Sequence, residues 1–538
     1  MRLLYNARIY TQNPAQPAAT AIAIERDRIL AVGGTDELFN RFTRAQPENM
    51  GGRFIFPGLT DAHIHLQHYA LSLQKVDCET DTLEECLRRV AERVKQAKPG
   101  EWILGHGWNQ NSWLPSLAGR GAGGEGGWPH ASDLDAIAPH NPVYLTAKSL
   151  HAGWVNTAAM KLANITSQTP DPPNGHIQRD VHGNPTGILL ETAMSLAGDA
   201  IPAPTLQQIA EAIEQAQPIL WRMGLTGVHD FDRREAFMAL QLLHAQGKLK
   251  LRVLKNIPVE LLDPAHELGL RGGFGDDLLR IGNVKVFMDG ALGPHTAAMF
   301  QPYLGEEDNR GILNLDGEEL FEHGRKAASL GLGMTVHAIG DRANHEVLDA
   351  YEQLRRYERE QRLPHLRHRI EHVQVLHPDD LARLGALNVI ASMQPIHAIS
   401  DMKMADDYWG PERTPYAYAW RTQLDNGARL AFGSDAPVDS PNPFWGLHAA
   451  VTRRRADGSP SAEGWHPEQK LTLAQAWEAY TLGPAYAAYL ENRLGRLAPG
   501  HLADLIVLEK DPFDCHADEL LAMQSSATMV NGEWVYRA

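Results

Sequence analysis

Residues 56–65, FPGLTDAHIH, set the expectations for the whole chain. Apolar and polar residues alternate through the segment, after a Pro57-Gly58 pair suited to entry into a strand. Alternate side chains of a strand project to one face, so His63 and His65 stand side by side. Two adjacent imidazoles can bind one cation. A His-x-His pair alone is weak evidence for a metal.

Further along, short apolar runs alternate with helical stretches. The strand-like runs are 142–148, 224–231, 251–259, 283–289, 333–340, 368–375, 388–395 and 429–437. Helical spacing marks Leu83 to Ala97, Gly317 to Leu330, Asp379 to Leu387 and Leu473 to Tyr489. The alternation predicts an α/β fold with a parallel sheet or barrel. Counting 56–65, there are nine candidates for an eight-stranded barrel, so one must lie outside it. Active sites of such barrels gather at the C-terminal ends of the strands. His337 (TVHAIGD), His372 (RIEHVQ) and Asp435 (LAFGSDAP) each sit at such an end, and the barrel would bring them to His63 and His65. Imidazole and carboxylate ligands suit zinc, manganese or iron. Zinc at an open site lowers the pKa of bound water to about 7. Asp435 is placed to take a proton from that water, as a general base.

Both ends of the chain read as short strands. LLYNARIYT and AIAIERDRILAVG open it, with a polar turn at Glu25 to Asp27. HLADLIVLEK and ATMVNGEWVYR close it, the latter with the hairpin pair Asn531-Gly532. One small β-domain built from both termini is the expectation. Residues 117–128, rich in glycine and alanine, read as a loop.

These segments resemble the amidohydrolase superfamily, and within it the branch of N-substituted formamide deformylase (amidohydrolase family 3). The likeness runs along nearly the whole chain, through FPGLTDAHIH, GNPTGILLE, GLTGVHD, VKVFMDGALGPHTA, TVHAIGD, IEHVQ, FGSDAP and GRLAPGHLADLIVLEKDP. It implies a distorted TIM (β/α)8 barrel over 58–486, with a β-sandwich joining 1–57 to 487–538. The strand at 224–231 then becomes the second of the barrel, and about 68–215 an insertion after the first, which would cap the pocket mouth. The resemblance also implies roles. His63 and His65 would hold the more buried metal, His337 and His372 a second, and Asp435 would bind metal and shuttle the proton. Lys285, on the fourth strand, would bridge two metals as a carboxylated lysine. The alternative is a plain lysine paired with Asp289 or another acid. One or two metals per chain, zinc first, are expected.

Substrate contacts are less defined. The insertion carries GHGWNQNSW (105–113) and AKSLHAGWVNTAAM (147–160), with His151 as a pocket candidate, Trp154 as a pocket wall or part of the insertion core, and Asn156 as a pocket residue or a helix cap. Relatives often carry Asp-Gly-His where this chain has Ser149-Leu150-His151, and Ser-Arg-Thr where it has Pro294-His295-Thr296. His295 would polarise a substrate carbonyl; Gln394 and Glu191 are weaker candidates.

Composition sets the outer limits. The 538 residues are 43% hydrophobic and 22% charged, as in an ordinary globular enzyme. A net charge of −16 without a basic tract argues against nucleic acid as a partner. Cys78, Cys86 and Cys515 form no CxxC pair and are expected to be reduced thiols. Neither a signal peptide nor a membrane span is read, so a cytoplasmic enzyme with a small-molecule substrate is expected, with homo-oligomer formation open. The reaction expected is hydrolysis of a non-peptide C–N bond. A deaminase of an aminated heterocycle, an esterase or lactonase, and a barrel that has lost catalysis are the rivals. Neither a P-loop nor a convincing dinucleotide-binding glycine motif is found.

Overall fold

The structure is a computed structural model and describes residues 1–109, 113, 128–149 and 151–538. The glycine-rich stretch 117–128 lies outside the described residues except for Trp128, as do Leu150 and part of 105–113. Contacts divide the chain into two compact units, Met1–Tyr69 with Ile209–Ala538, and Ala70–Gln208.

The first unit contains eight parallel strands paired in chain order: Leu59–Ile64, Leu225–Asp230, Arg252–Pro258, Leu279–Phe287, Met334–Ala338, Arg369–His372, Ile390–Met393 and Arg429–Phe432. Their residues are almost all buried, as expected of strands covered on both faces. The ring is drawn together between its first and eighth strands by a parallel bridge, Ile64 to Ala436. The strand expected at 142–148 is Val143–Ala147, which pairs in a different sheet of the second unit.

Strands from both termini hydrogen-bond into one eight-stranded sheet. Phe54–Pro57, which leads into the barrel, pairs antiparallel with Leu505–Leu508 near the chain's end. The hairpin at Asn531-Gly532 has φ of +55° and +76°, the two left-handed residues of a type I′ turn. Gly532 is required there twice over, since a Cβ would lie 1.7 Å from the Arg26 carbonyl oxygen.

Two helical expectations are corrected. Leu473 to Tyr489 is broken into Leu473–Ala479 and Leu482–Ala487. Pro484 has no N–H for an interior helical bond, so it falls in the first turn of a new helix. Gly483 meanwhile lets that turn approach the eighth strand, where a Cβ would sit 2.0 Å from the Leu430 carbonyl. Asp379 to Leu387 forms only two short turns, Pro378–Asp380 and Arg383–Ala386.

In the second unit, a six-stranded sheet runs in the order Gly175–Arg179, Pro185–Glu191, Ala152–Val155, Val143–Ala147, Ile103–Trp108 and Val76–Asp77. Its core joins Trp108, Trp113 and Trp154 to helix Leu83–Gln96. Cys78 and Cys86 are buried free thiols. Among the described residues, no helix is long and apolar enough to cross a membrane.

In the first unit, Arg252 of the third barrel strand reaches Asp504 of the terminal sheet, Nη2 to Oδ1 at 2.8 Å. Asp504 also accepts from the Asn531 N–H at 2.8 Å. The two side chains are only 7% and 5% exposed. Removing one partner of a buried pair leaves the other charge uncompensated, at about 3–5 kcal/mol. Arg252→Met is expected to lose that much in equilibrium denaturant unfolding, and Arg252→Met combined with Asp504→Leu to recover most of it.

Candidate metal centre

The barrel ends place the expected residues together. His63 lies within the first strand, and His65 follows its last residue. His372 ends the sixth strand, and Asp435 follows the eighth. Asp435 has φ +59° and His372 φ +75°, both in the sparsely populated left-handed region. A hydrogen bond from the Asp435 N–H to the His63 carbonyl, at 2.7 Å, fixes the first of these. Gly433 permits that approach, because a Cβ would lie 2.4 Å from the His63 nitrogen.

Asp435 Oδ1 lies 3.4 Å from His63 Nε2 and 3.3 Å from His65 Nε2. Candidate ligand atoms of His63, His372 and Asp435 all fall within 4.8 Å of one another. The His372 ring centre is 5.0 Å from that of His63 and 4.5 Å from that of His337.

The outer nitrogens of these rings are already committed. His63 Nδ1 pairs with Glu371 at 2.6 Å, His65 Nδ1 with Asp232 at 3.2 Å and His372 Nδ1 with Gln394 Oε1 at 2.9 Å. His337 uses Nε2 instead, donating to the Gly290 carbonyl at 2.8 Å. Burial pushes His63 down to about 4 and His337 to about 3, and drives His372 well below the usual range. These imidazoles are therefore neutral near pH 7, and each keeps one lone pair. Burial would raise Asp435, but its hydrogen bond from protonated His65 holds it well below the carboxylate range, so it is ionised. The His63 lone pair then faces a carboxylate oxygen, acceptor against acceptor, and a cation between them resolves the conflict. Burial lowers His65, but its bonds to Asp232 and Asp435 outweigh that and raise it to about 9. A proton on His65 thus takes the place a metal ion would fill.

Lys285 completes the group. Its Nζ is buried with no hydrogen-bond partner, and burial lowers it to about 8. It lies 4.7 Å from the Phe231 ring centre and 4.6 Å from that of Phe287. Asp289 does not pair with it. That carboxylate accepts instead from the N–H groups of Ala298, Ile339 and Gly340 at 2.8–3.0 Å. An unpaired buried amine beside neutral imidazoles and one carboxylate fits a cation site.

A sequence model described as the Amidohydrolase family matches residues 48–536. The chain belongs to the amidohydrolase family. It is 33% identical to Protein LONG AFTER FAR-RED 3 of Arabidopsis thaliana, over 99% of this chain and 91% of that protein. It is 28% identical to N-substituted formamide deformylase of Arthrobacter pascens, over 98% of this chain and 97% of that enzyme. An uncharacterized metal-dependent hydrolase from Pyrococcus furiosus matches with a TM-score of 0.77 at 29% identity, covering 95% of this chain and 100% of that one. This amidohydrolase is a metal-dependent hydrolase.

The remaining candidates take other places. Gln394 in the amidohydrolase is buried and orients His372. His295 is held by Glu306 at 2.5 Å and by the rings of Tyr303 and Tyr408. His151 is exposed and pairs with Glu191 at 3.0 Å. Trp154 is corrected from pocket wall to core residue, since it is wholly buried and its indole N–H donates to the His130 carbonyl. Asn156 caps helix Thr157–Leu162, accepting from the Ala159 N–H.

Glu371, Asp232 and Phe231 were missed, although each has a sequence signal. Glu371 immediately precedes His372, and Phe231-Asp232 follows the second strand at the end where a barrel builds its site. Phe231 stacks on His63 with ring centres 4.0 Å apart. Loss of a partner that orients a ligand typically costs 10–100-fold in metal affinity. Asp232→Asn is expected to weaken metal binding by about that factor. Competition against a fluorescent chelator measures it, and unchanged affinity would remove Asp232 from the role of orienting His65.

Proposed function

We propose that this amidohydrolase cleaves a non-peptide C–N bond, in an amide, formamide or cyclic amide, with water as the nucleophile. The observation that carries the reading is the Asp435 carboxylate set against His63 Nε2 and His65 Nε2, at 3.4 and 3.3 Å. The relative named for N-substituted formamides matches along nearly the full length of both chains.

His63, His65, His337, His372 and Asp435 would hold the metal, with Lys285 joining as its carbamate. A divalent cation held there, zinc first and one or two per chain, would supply Lewis-acid polarisation of a carbonyl oxygen and a water pKa of about 7. Lys285 would join by attack of its neutral amine on carbon dioxide, forming an N–C bond as a C=O π pair moves onto oxygen and one proton leaves the nitrogen. Glu371, Asp232 and Gln394 keep three of the imidazoles oriented through their Nδ1 atoms. Asp435 takes a proton from the attacking water as the new C–O bond forms. The C–N bond then breaks, and Asp435 returns that proton to the departing nitrogen.

Positioned acid–base catalysis contributes about 10²–10⁴ in rate. Asp435→Asn, compared with the parent at equal metal content by elemental analysis, is expected to lose kcat by about that factor. The assay follows amine release from a panel of N-substituted formamides and amides. Ammonia release from aminated heterocycles, with no amine from any amide, would overturn the reading.

A further inference from the structure

The rim of the metal centre carries two apolar side chains open to solvent. Phe287 is the last residue of the fourth barrel strand, two positions after Lys285. Strand alternation puts both on the inner face, with Phe287 nearer the mouth. Its ring centre lies 4.6 Å from Lys285 Nζ and 5.2 Å from the His337 ring, and the residue is 48% exposed. Val438 stands by the eighth strand. Its N–H donates to the Asp435 carbonyl at 2.9 Å, closing the turn that presents the carboxylate, and it is 68% exposed. The fourth and eighth strands lie across an eight-stranded ring from each other.

A single exposed apolar residue needs no explanation. Two that flank the same ligand set do, because that is where a substrate must lie. The positive groups close by are committed. Arg369 is buried and bonds to Glu371, Ser392, His229 and the Ala62 carbonyl. Lys285 is assigned to the metal. Neither remains to neutralise an anionic substituent. On the His65 side, exposed His68 lies 3.6 Å from Asp232 and is the polar neighbour.

We propose that Phe287 and Val438 form apolar walls on opposite sides of the scissile bond, and that the substrate carries an uncharged apolar substituent of aryl or branched-alkyl size between them. The proposal rests on the C–N hydrolase reading above and narrows it to a substrate class. Phe287 acts in specificity, through contact with the substituent.

Two hydroxamates test it, benzohydroxamate and acetohydroxamate, which share a chelating head and differ by phenyl against methyl. Calorimetry with the zinc-loaded enzyme is expected to show the phenyl compound binding about 10-fold tighter or more, the scale of burying an aromatic ring. Phe287→Ala is expected to bring the two affinities within about threefold of each other, and Phe287→Leu to keep most of the preference. Val438→Ser should act in the same direction. Metal content and melting temperature establish that each variant is folded and loaded. Equal affinities in the parent, or a preference that survives both Phe287→Ala and Val438→Ser, overturn the wall. Turnover of N-benzylformamide and N-methylformamide is measured alongside. If neither these nor any amide of the panel is hydrolysed while the hydroxamate preference holds, the wall stands and the C–N reading falls. If both are hydrolysed and the hydroxamates bind equally, the reading stands and the wall falls.

Discussion

The carboxylate of Asp61 is the constraint on which the metal centre depends. It sits within the first barrel strand and accepts from the Ser434 N–H at 3.0 Å, the Ser434 hydroxyl at 2.5 Å and the His63 N–H at 3.0 Å. It thereby ties the first strand to the segment that follows the eighth. The same junction carries the bond from the Asp435 N–H to the His63 carbonyl and that from the His65 N–H to the Ala436 carbonyl. Closing the barrel and placing three candidate ligands are therefore one set of hydrogen bonds. Burial raises Asp61 to about 7, so its ionised form depends on those donors. The geometry of the site is a consequence of how the ring is joined.

Behind the ligands lies a layer that settles their protonation. Glu371 is wholly buried, and burial alone would neutralise it. Arg369 and His63 hold it well below the carboxylate range instead. Arg369 in turn contacts Glu371 at 2.5 Å, Ser392 at 2.6 Å and the Ala62 carbonyl at 2.7 Å. A buried charge is tolerable only when paired and hydrogen-bonded. The chain from Arg369 to Glu371 to His63 meets that condition, and it fixes which nitrogen of His63 carries the proton. Asp232 and Gln394 do the same for His65 and His372 with shorter chains.

Much of this was legible because barrel chemistry is concentrated at strand ends. Each of His63, His65, His337, His372 and Asp435 closes or follows an apolar run, so strand prediction and ligand prediction were the same act. The break at Tyr480 and Thr481 was not legible from apolar spacing, because it depends on how closely Gly483 must approach the Leu430 carbonyl. Trp154 stayed open between pocket and core for a related reason. A tryptophan beside a histidine and an asparagine looks the same whether it faces a pocket or other tryptophans. Only the placement of Trp108 and Trp113 against it tells the two apart. Glu371 and Asp232 were hidden because a partner of a ligand has no spacing rule of its own. It is defined by where the ligand's second nitrogen points.

The electrostatics of the site are incomplete in the chain by itself. Buried polar atoms usually find partners, and an unpaired one raises the energy of the fold. Here Lys285 Nζ has none, and the His63 lone pair is set against an anionic oxygen. Other buried cations of the chain do find a carboxylate, as Lys255 with Asp230 at 2.8 Å and Arg355 with Glu358 at 2.7 Å. Lys285 and the His63–Asp435 contact both lie where the strand ends converge. A cation accepted by the imidazoles and carboxylate, and a carboxyl group added to the lysine, would relieve both conflicts together. Binding energy at such a site adds to the folding free energy, because the unfolded chain holds no preformed ligand set. In the proposed reaction, stability and catalysis would both be drawn from this cluster.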